Sequence, residues 1–151
     1  MGRSDRIALT FDREARTADE AVRCALQDVT TAIPGATLVE ASPDFVGLTE
    51  VADMIGVTRQ NLRKLSLAHA DSFPAPVHEG SASIWHLAPL LEWFVRHQDY
   101  DIARPMLDVA QVTMQLNAAK QAALVAEETL KGLLLEIEAF KPDDVRRTET
   151  A

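Results

Sequence analysis

The stretch of the chain that decides the fold is residues 47–65, GLTEVADMIGVTRQNLRKL. Thr49 is placed to cap a short helix, because its hydroxyl can accept a hydrogen bond from a free backbone N–H of the first turn. Gly56 follows that helix and supplies, at little steric cost, the positive φ that a tight turn requires. The apolar face of the short helix consists of Val51, Ala52 and Ile55.

A second helix is predicted to begin directly after the turn. Thr58 is its cap, and Leu62 and Leu65 face inward toward the first helix. Ala52 must be small, since the two helices cross closely at that position. Two short helices joined by a glycine turn at this spacing predict a helix-turn-helix.

Residues 73–86, FPAPVHEGSASIWH, predict a short hairpin after the two helices. Pro74 and Pro76 lack backbone donors, so the first strand must lie at the edge of a sheet. Pro89 then begins a further helix, and we expect Trp85 to lie in the core beneath it. The packing face of that helix consists of Leu90, Leu91, Trp93 and Phe94.

This order of elements and three phrases of sequence resemble the winged helix-turn-helix of MerR-like and excisionase-like DNA-binding proteins of bacteria. The phrases are VTRQNLRKL at 57–65, FPAPV at 73–77 and WHL at 85–87, and the resemblance covers about a third of the chain. It implies sequence-selective binding of double-stranded DNA and control of transcription. Relatives of this type often carry arginine directly after the aromatic residue of the wing, where this chain has His86.

The charges of the second helix agree with that expectation. From residue 58 to 70 there are basic side chains but no carboxylate. Arginine binds guanine and glutamine binds adenine, each with two hydrogen bonds, so we expect Arg59, Gln60 and Arg63 to contact base edges. Thr58 and Lys64 are better placed for phosphates, which fix register without specifying sequence. The predicted DNA-binding set is Thr58, Arg59, Gln60, Asn61, Arg63, Lys64, His69, His78, Ser81, Ser83 and His86.

The first 43 residues predict a strand, a helix and a second strand. Residues 6–11 alternate apolar and polar side chains, and residues 36–41 form the second candidate strand. Thr17 with Glu20 matches a capping box at the start of the helix between them. This βαβ unit resembles half of a ferredoxin-like sandwich. Because a unit of this size buries little by itself, we expect a second subunit to complete its open sheet.

Residues 107–140 predict one long helix, about 50 Å in length at 1.5 Å per residue. Apolar residues recur along it at intervals of three and four, which is typical of a coiled coil. Lys120 and Glu127 are placed to pair across an antiparallel homodimer, and the alternative is a helix packed on its own subunit. The predicted dimerisation seam is Val109, Val112, Leu116, Ala119, Ala123, Ala126, Leu130, Leu133, Ile137 and Phe140.

Composition limits the classes of function. The net charge of −8 argues against indiscriminate coating of nucleic acid, although a local basic surface remains compatible with it. Cys24 is the one cysteine, which excludes an intramolecular disulfide and a cysteine-rich metal site and suits a reducing cytoplasm. We find no secretory signal, no membrane span, no metal-ligand cluster and no nucleophile–base pair. We therefore expect no enzymatic activity and no cofactor.

Together these patterns predict an α+β, mainly helical protein with four parts. Residues 1–43 are the βαβ unit, 44–100 the winged helix-turn-helix, 101–140 the dimerisation helix and 141–151 a disordered tail. The predicted function is that of a cytoplasmic, homodimeric, sequence-specific DNA-binding regulator of transcription. Two alternatives remain open: an antitoxin-type autorepressor that also binds a partner protein, and a winged-helix adaptor that binds protein rather than DNA.

Overall fold

The computed structural model describes residues 6–97 and 100–140 and is mixed α+β, mainly helical. Residues up to Leu116 form one compact unit, and residues from Asn117 onward form a second. Among the described residues, no helix combines the length and the apolar character needed to cross a membrane. In chain order the elements are α1 (Ala18–Ala32), β1 (Phe45–Val46), α2 (Leu48–Ile55), α3 (Arg59–Ala68), β2 (His78–Glu79), β3 (Ser83–His86), α4 (Leu87–His97), α5 (Arg104–Ala122) and α6 (Glu127–Glu138).

The N-terminal βαβ prediction is wrong in its strands and right in its helix. Residues 6–11 and 36–41 form no strand, and their apolar side chains remain accessible, with Ile7 67% and Val39 49% exposed. Alternation alone does not produce a sheet unless a neighbouring layer covers the apolar face. Helix α1 does begin at Thr17, whose Oγ1 accepts a hydrogen bond from the Glu20 backbone N–H at 3.1 Å.

Helices α2 and α3 occur where the sequence predicts them, with one change at the first cap. Gly47, not Thr49, precedes α2, and its backbone N–H donates to the Glu50 carboxylate at 2.7 Å. The reason is that the glutamate reaches back to the free donor, so the helix starts one turn position earlier than a threonine cap allows. Thr58 caps α3 as predicted, accepting a hydrogen bond from the Asn61 backbone N–H at 3.2 Å.

The three strands form a small antiparallel sheet in the order β1-β3-β2. Val46 lies opposite Trp85, and both side chains are buried in the core. The indole N–H of Trp85 donates to the Pro74 carbonyl at 3.0 Å, which ties the segment before β2 to the core. The hairpin of β2 and β3 is therefore present, with His78 opposite Ile84.

Helix α4 supplies most of the core. Trp93 is 3% exposed and Trp85 8%, so the prediction that both tryptophans are core residues is confirmed. The ring of Phe94 packs edge-on against those of Phe73 and Tyr100, at centroid distances of 6.4 and 5.3 Å. The buried residues of α4 are Leu87, Ala88, Leu90, Leu91, Trp93 and Phe94.

The prediction of one continuous helix over residues 107–140 is wrong. The chain leaves the helix after Ala122 and resumes it at Glu127. The intervening side chains are exposed, so no burial holds a continuous helix there. Lys120 in the last turn of α5 and Glu127 with Glu128 in the first turn of α6 carry the charges that stabilise a helix end and a helix start.

The first part of α5 packs on the core of its own unit, as the alternative prediction allowed. Its buried stripe includes Leu107, Ala110 and Thr113, and the Thr113 hydroxyl donates to the Pro43 carbonyl at 2.6 Å. The first three residues of the predicted seam lie ~100° around the helix from that stripe and are half-buried. They are Val109, Val112 and Leu116.

The rest of the predicted seam is more exposed. Leu130 is half-buried, whereas Leu133, Ile137 and Phe140 are 50%, 57% and 85% exposed. Ala119, Ala123 and Ala126 are also exposed. Glu127 pairs with Lys131 of its own helix at 2.9 Å, so the charge argument for an antiparallel dimer loses one partner. The predicted disordered tail lies outside the described residues.

Candidate nucleic-acid interface

The crossing of α2 and α3 fixes how α3 is presented. Gly56 has φ 74° and ψ 33°, the left-handed conformation that a glycine adopts without strain. The Val57 N–H donates to the Ala52 carbonyl at 2.9 Å, which closes the turn. Ala52 is 1% and Leu62 0% exposed, so the inner faces of both helices are buried. The opposite face of α3 consequently faces solvent.

That outward face of α3 carries the polar residues singled out from the sequence. Arg59, Gln60, Arg63 and Lys64 are all exposed, and so is Asn61 at the side of the helix. At 100° per residue, Gln60 lies opposite the direction of Leu62 and Leu65, and Arg63 and Lys64 flank it. The structure thus brings these five side chains together on one helix.

The cations of α3 differ from those elsewhere in the part of the chain that the structure describes. On α1, α4, α5 and α6, basic side chains pair with carboxylates, as in Arg23–Asp19 at 2.7 Å and Arg104–Asp108 at 2.8 Å. Arg59, Arg63 and Lys64 form no ion pair with any described residue. Three unneutralised charges within two helical turns make α3 a local positive surface on an acidic chain.

Leu67 completes this face, and the sequence analysis missed it. Its side chain is 72% exposed, and it lies seven residues, or nearly two full turns, after Gln60. An exposed leucine in the middle of a cationic face has no packing role within the chain. Apolar side chains can contact the thymine methyl group in the major groove. The signal was available, because the same helical spacing that placed Gln60 outward also places Leu67 outward.

The hairpin presents a smaller polar surface. Ser81 and His78 are exposed, and Ser83 is half-buried. A methyl group added at Gly80 would meet the His78 imidazole Nε2 at 2.7 Å, so the ring lies close over the glycine backbone. Ser81 at the hairpin tip is therefore the accessible hydroxyl of the predicted set on this element.

Two predicted DNA-binding histidines are instead engaged within the fold. His86 Nδ1 lies 2.6 Å from Oδ1 of Asp44, whose side chain is fully buried, and the imidazole packs on Phe45 with ring centroids 5.1 Å apart. His69 packs edge-on against Trp93 at 5.4 Å and is half-buried. Both rings are oriented by neighbours far away in sequence, which sequence spacing does not reveal.

No group of three or more histidine, cysteine, aspartate or glutamate side chains is arranged to hold a metal ion within residues 6–97 and 100–140. No protein-family model, curated protein or solved structure matches the chain. The function is therefore argued from the chemistry of the α2–α3 surface and of the hairpin.

Proposed function

We propose that the chain is a sequence-specific double-stranded DNA-binding protein, with α2 and α3 as its helix-turn-helix and the β2–β3 hairpin as its wing. The observation that carries the proposal is the unpaired positive face of α3. Surface cations in this chain are otherwise neutralised by carboxylates, and three exposed ones without partners suit a ligand that supplies negative charge. Phosphates of a duplex supply that charge at a regular spacing.

The proposed docking places α3 in the major groove. Arg59, Gln60 and Arg63 face base edges, where each bidentate contact contributes about 1–3 kcal/mol of discrimination. Lys64 and the hydroxyl of Thr58 contact phosphates and fix the register. Ser81 at the hairpin tip is the wing residue best placed to donate a hydrogen bond to an adjacent phosphate.

Homodimerisation is part of the same proposal. Leu133, Ile137 and Phe140 expose a large apolar area on α6, and exposed contiguous apolar surface typically marks a contact with another chain. The half-buried seam of α5 remains accessible, because α5 packs on its own core through a different stripe. A two-fold dimer presents two copies of α3, which suits a regulator that binds two half-sites.

Selection of duplexes from a random pool by the full-length protein tests the proposal. We expect one enriched sequence family, bound with an affinity that falls steeply as salt is added. The triple variant Arg59→Ala/Arg63→Ala/Lys64→Ala should enrich nothing. A matched control, Arg23→Ala/Arg96→Ala/Arg104→Ala, removes the same charge from paired positions and should enrich the same family. If the wild-type protein enriches no duplex, DNA binding is excluded and the adaptor hypothesis is favoured.

A further inference from the structure

Residues 6–12 form an extended segment, called here the N-terminal arm, whose apolar side chains are uncovered. Ile7, Leu9 and Phe11 alternate along it and are 67%, 50% and 44% exposed. None of the backbone groups of residues 6–11 is hydrogen-bonded to any described residue. A segment with the alternation of a strand and unused backbone donors and acceptors is a template for pairing with another strand.

We propose that the N-terminal arms of two copies of this chain pair as an antiparallel two-stranded ribbon centred on Leu9. In an antiparallel pair, residues directly opposite one another lie on the same face. Centring on Leu9 places Ile7 opposite Phe11 of the partner copy and Leu9 opposite its own equivalent. All six apolar side chains of the two arms then share one face of the ribbon.

Charge complementarity selects this register over its neighbours. With Leu9 at the two-fold axis, Arg6 lies opposite Asp12 of the second copy, which gives two opposite-charge pairs per ribbon. A shift that centres the ribbon on Thr10 places Ile7 opposite the cationic Arg13 and Ala8 opposite Asp12. A shift that brings odd-numbered positions opposite even-numbered ones places apolar against polar side chains. Within the described chain, neither Arg6 nor Asp12 forms an ion pair.

The arm is anchored at its end, which limits the entropy lost on pairing. The Arg13 guanidinium is 2.6 Å from the Asp28 carboxylate on α1 and lies 5.3 Å from the centre of the Phe11 ring. These contacts fix where the arm leaves α1. An isolated two-stranded ribbon is marginal in water, so the partly exposed apolar face of α1 is the surface that can cover the ribbon.

The ribbon does not depend on DNA binding or on the apolar face of α6. It also explains why the arm has the sequence of a strand but forms none in a single chain. The occupant is a second copy because the arm is complementary to itself in both hydrophobicity and charge.

Site-directed cross-linking of the full-length protein tests the register. In a Cys24→Ser background, Leu9→Cys places two thiols directly opposite one another, within the 4.4–6.8 Å Cα separation that a disulfide typically spans. Ala8→Cys or Thr10→Cys alone places equivalent thiols about 8 Å apart along the ribbon, which is too far. We expect fast disulfide formation with Leu9→Cys, slow formation with either other variant alone, and fast formation when those two variants are mixed. Equal rates at all three positions, or none at position 9, would overturn the proposal.

A charge exchange tests the ion pairs. In the Leu9→Cys protein, either Arg6→Asp or Asp12→Arg places two like-charge pairs across the ribbon. Each such pair costs about 0.2–1 kcal/mol, so cross-linking should slow roughly two- to thirtyfold. The double variant Arg6→Asp/Asp12→Arg restores opposite charges and should restore the rate. If the double variant is as slow as the single ones, the two residues do not face each other.

Discussion

At the scale of single residues, Arg63 is the side chain whose role is easiest to separate from stability. It is exposed and lies on the outward face of α3. Arg63→Ala should therefore leave the unfolding midpoint unchanged but cost about 1–3 kcal/mol in operator binding, roughly 5- to 150-fold in Kd. It should also relax the preference at one base position, measured by competition with single-base variants of the selected duplex.

Lys64→Ala is the matched comparison on the same helix. It removes one charge as well, but we expect it to weaken all duplexes about equally, because phosphate contacts are independent of sequence. If Arg63→Ala and Lys64→Ala change the base preference to the same extent, the proposed orientation of α3 in the groove is wrong.

Leu67 gives a second prediction at this scale. Because its side chain is 72% exposed, Leu67→Glu should not alter the free energy of unfolding. A carboxylate at the centre of the cationic face repels phosphates, so duplex affinity should fall roughly tenfold, or about 1.4 kcal/mol. Leu67→Gln is the neutral control of the same length and should fall much less. Unchanged affinity of the Leu67→Glu protein would place this turn of α3 outside the interface.

His86 shows where prediction from the sequence ends. The position was identified through its place after Trp85, which is local information. Its actual partner, Asp44, lies 42 residues earlier and is brought there by the β1–β3 pairing. A buried carboxylate at hydrogen-bonding distance from a half-buried imidazole is a tertiary arrangement, and no spacing rule within the hairpin encodes it. The α3 residues were predictable, by contrast, because helical periodicity alone places them.

At the scale of elements, the turn between α2 and α3 depends on Gly56. An alanine there meets no atom within 4 Å, so its effect comes from the left-handed backbone rather than from a clash. Gly56→Ala should destabilise the unit up to Leu116 by about 1–2 kcal/mol. Trp85 and Trp93 are both in the core of that unit, so a denaturant titration followed by tryptophan fluorescence measures the change.

Gly132 provides the matched control for this prediction. It lies within α6 with open space around it, and replacing a helical glycine with alanine typically stabilises a helix by about 0.5–1 kcal/mol. Gly132→Ala should leave the tryptophan-detected midpoint unchanged and raise the helical circular dichroism. If both substitutions shift that midpoint alike, the left-handed turn is not the cause of the effect at Gly56.

The elements that sequence analysis predicted well are those with local signals. A threonine cap, a glycine turn and apolar spacing fix α3 and its neighbours within a few residues of each other. The break between α5 and α6 was missed because periodicity counts apolar positions and ignores end charges. Lys120 followed by Glu127 and Glu128 suits a helix end and a new helix start, and the small exposed residues between them bury too little to oppose it.

At the scale of the whole molecule, the exposed face of α6 predicts the state of association. Leu133→Asp/Ile137→Asp should raise the dimer dissociation constant by roughly a hundredfold or more, since each buried aliphatic side chain contributes about 1.5–3 kcal/mol. Both side chains are at least half exposed in the single chain, so its folding should be unaffected. Sedimentation velocity measures the mass, and Leu135→Asp on the opposite face of α6 is the control. An unchanged mass for the double variant would exclude α6 as the dimer contact.

The final prediction links association to recognition. Successive major grooves on one side of a duplex lie about 34 Å, or about 10 base pairs, apart, so a two-fold dimer should protect two half-sites at that spacing or a small multiple of it. Each copy of α3 offers three unpaired cations, which gives a slope of log K against log salt of about −5 for two heads and about −3 for one. The Leu133→Asp/Ile137→Asp protein should therefore protect a single half-site, bind more weakly and show the shallower slope. The same two-site footprint and the same slope for both proteins would mean that the heads are held together elsewhere, with the paired N-terminal arms as the remaining contact.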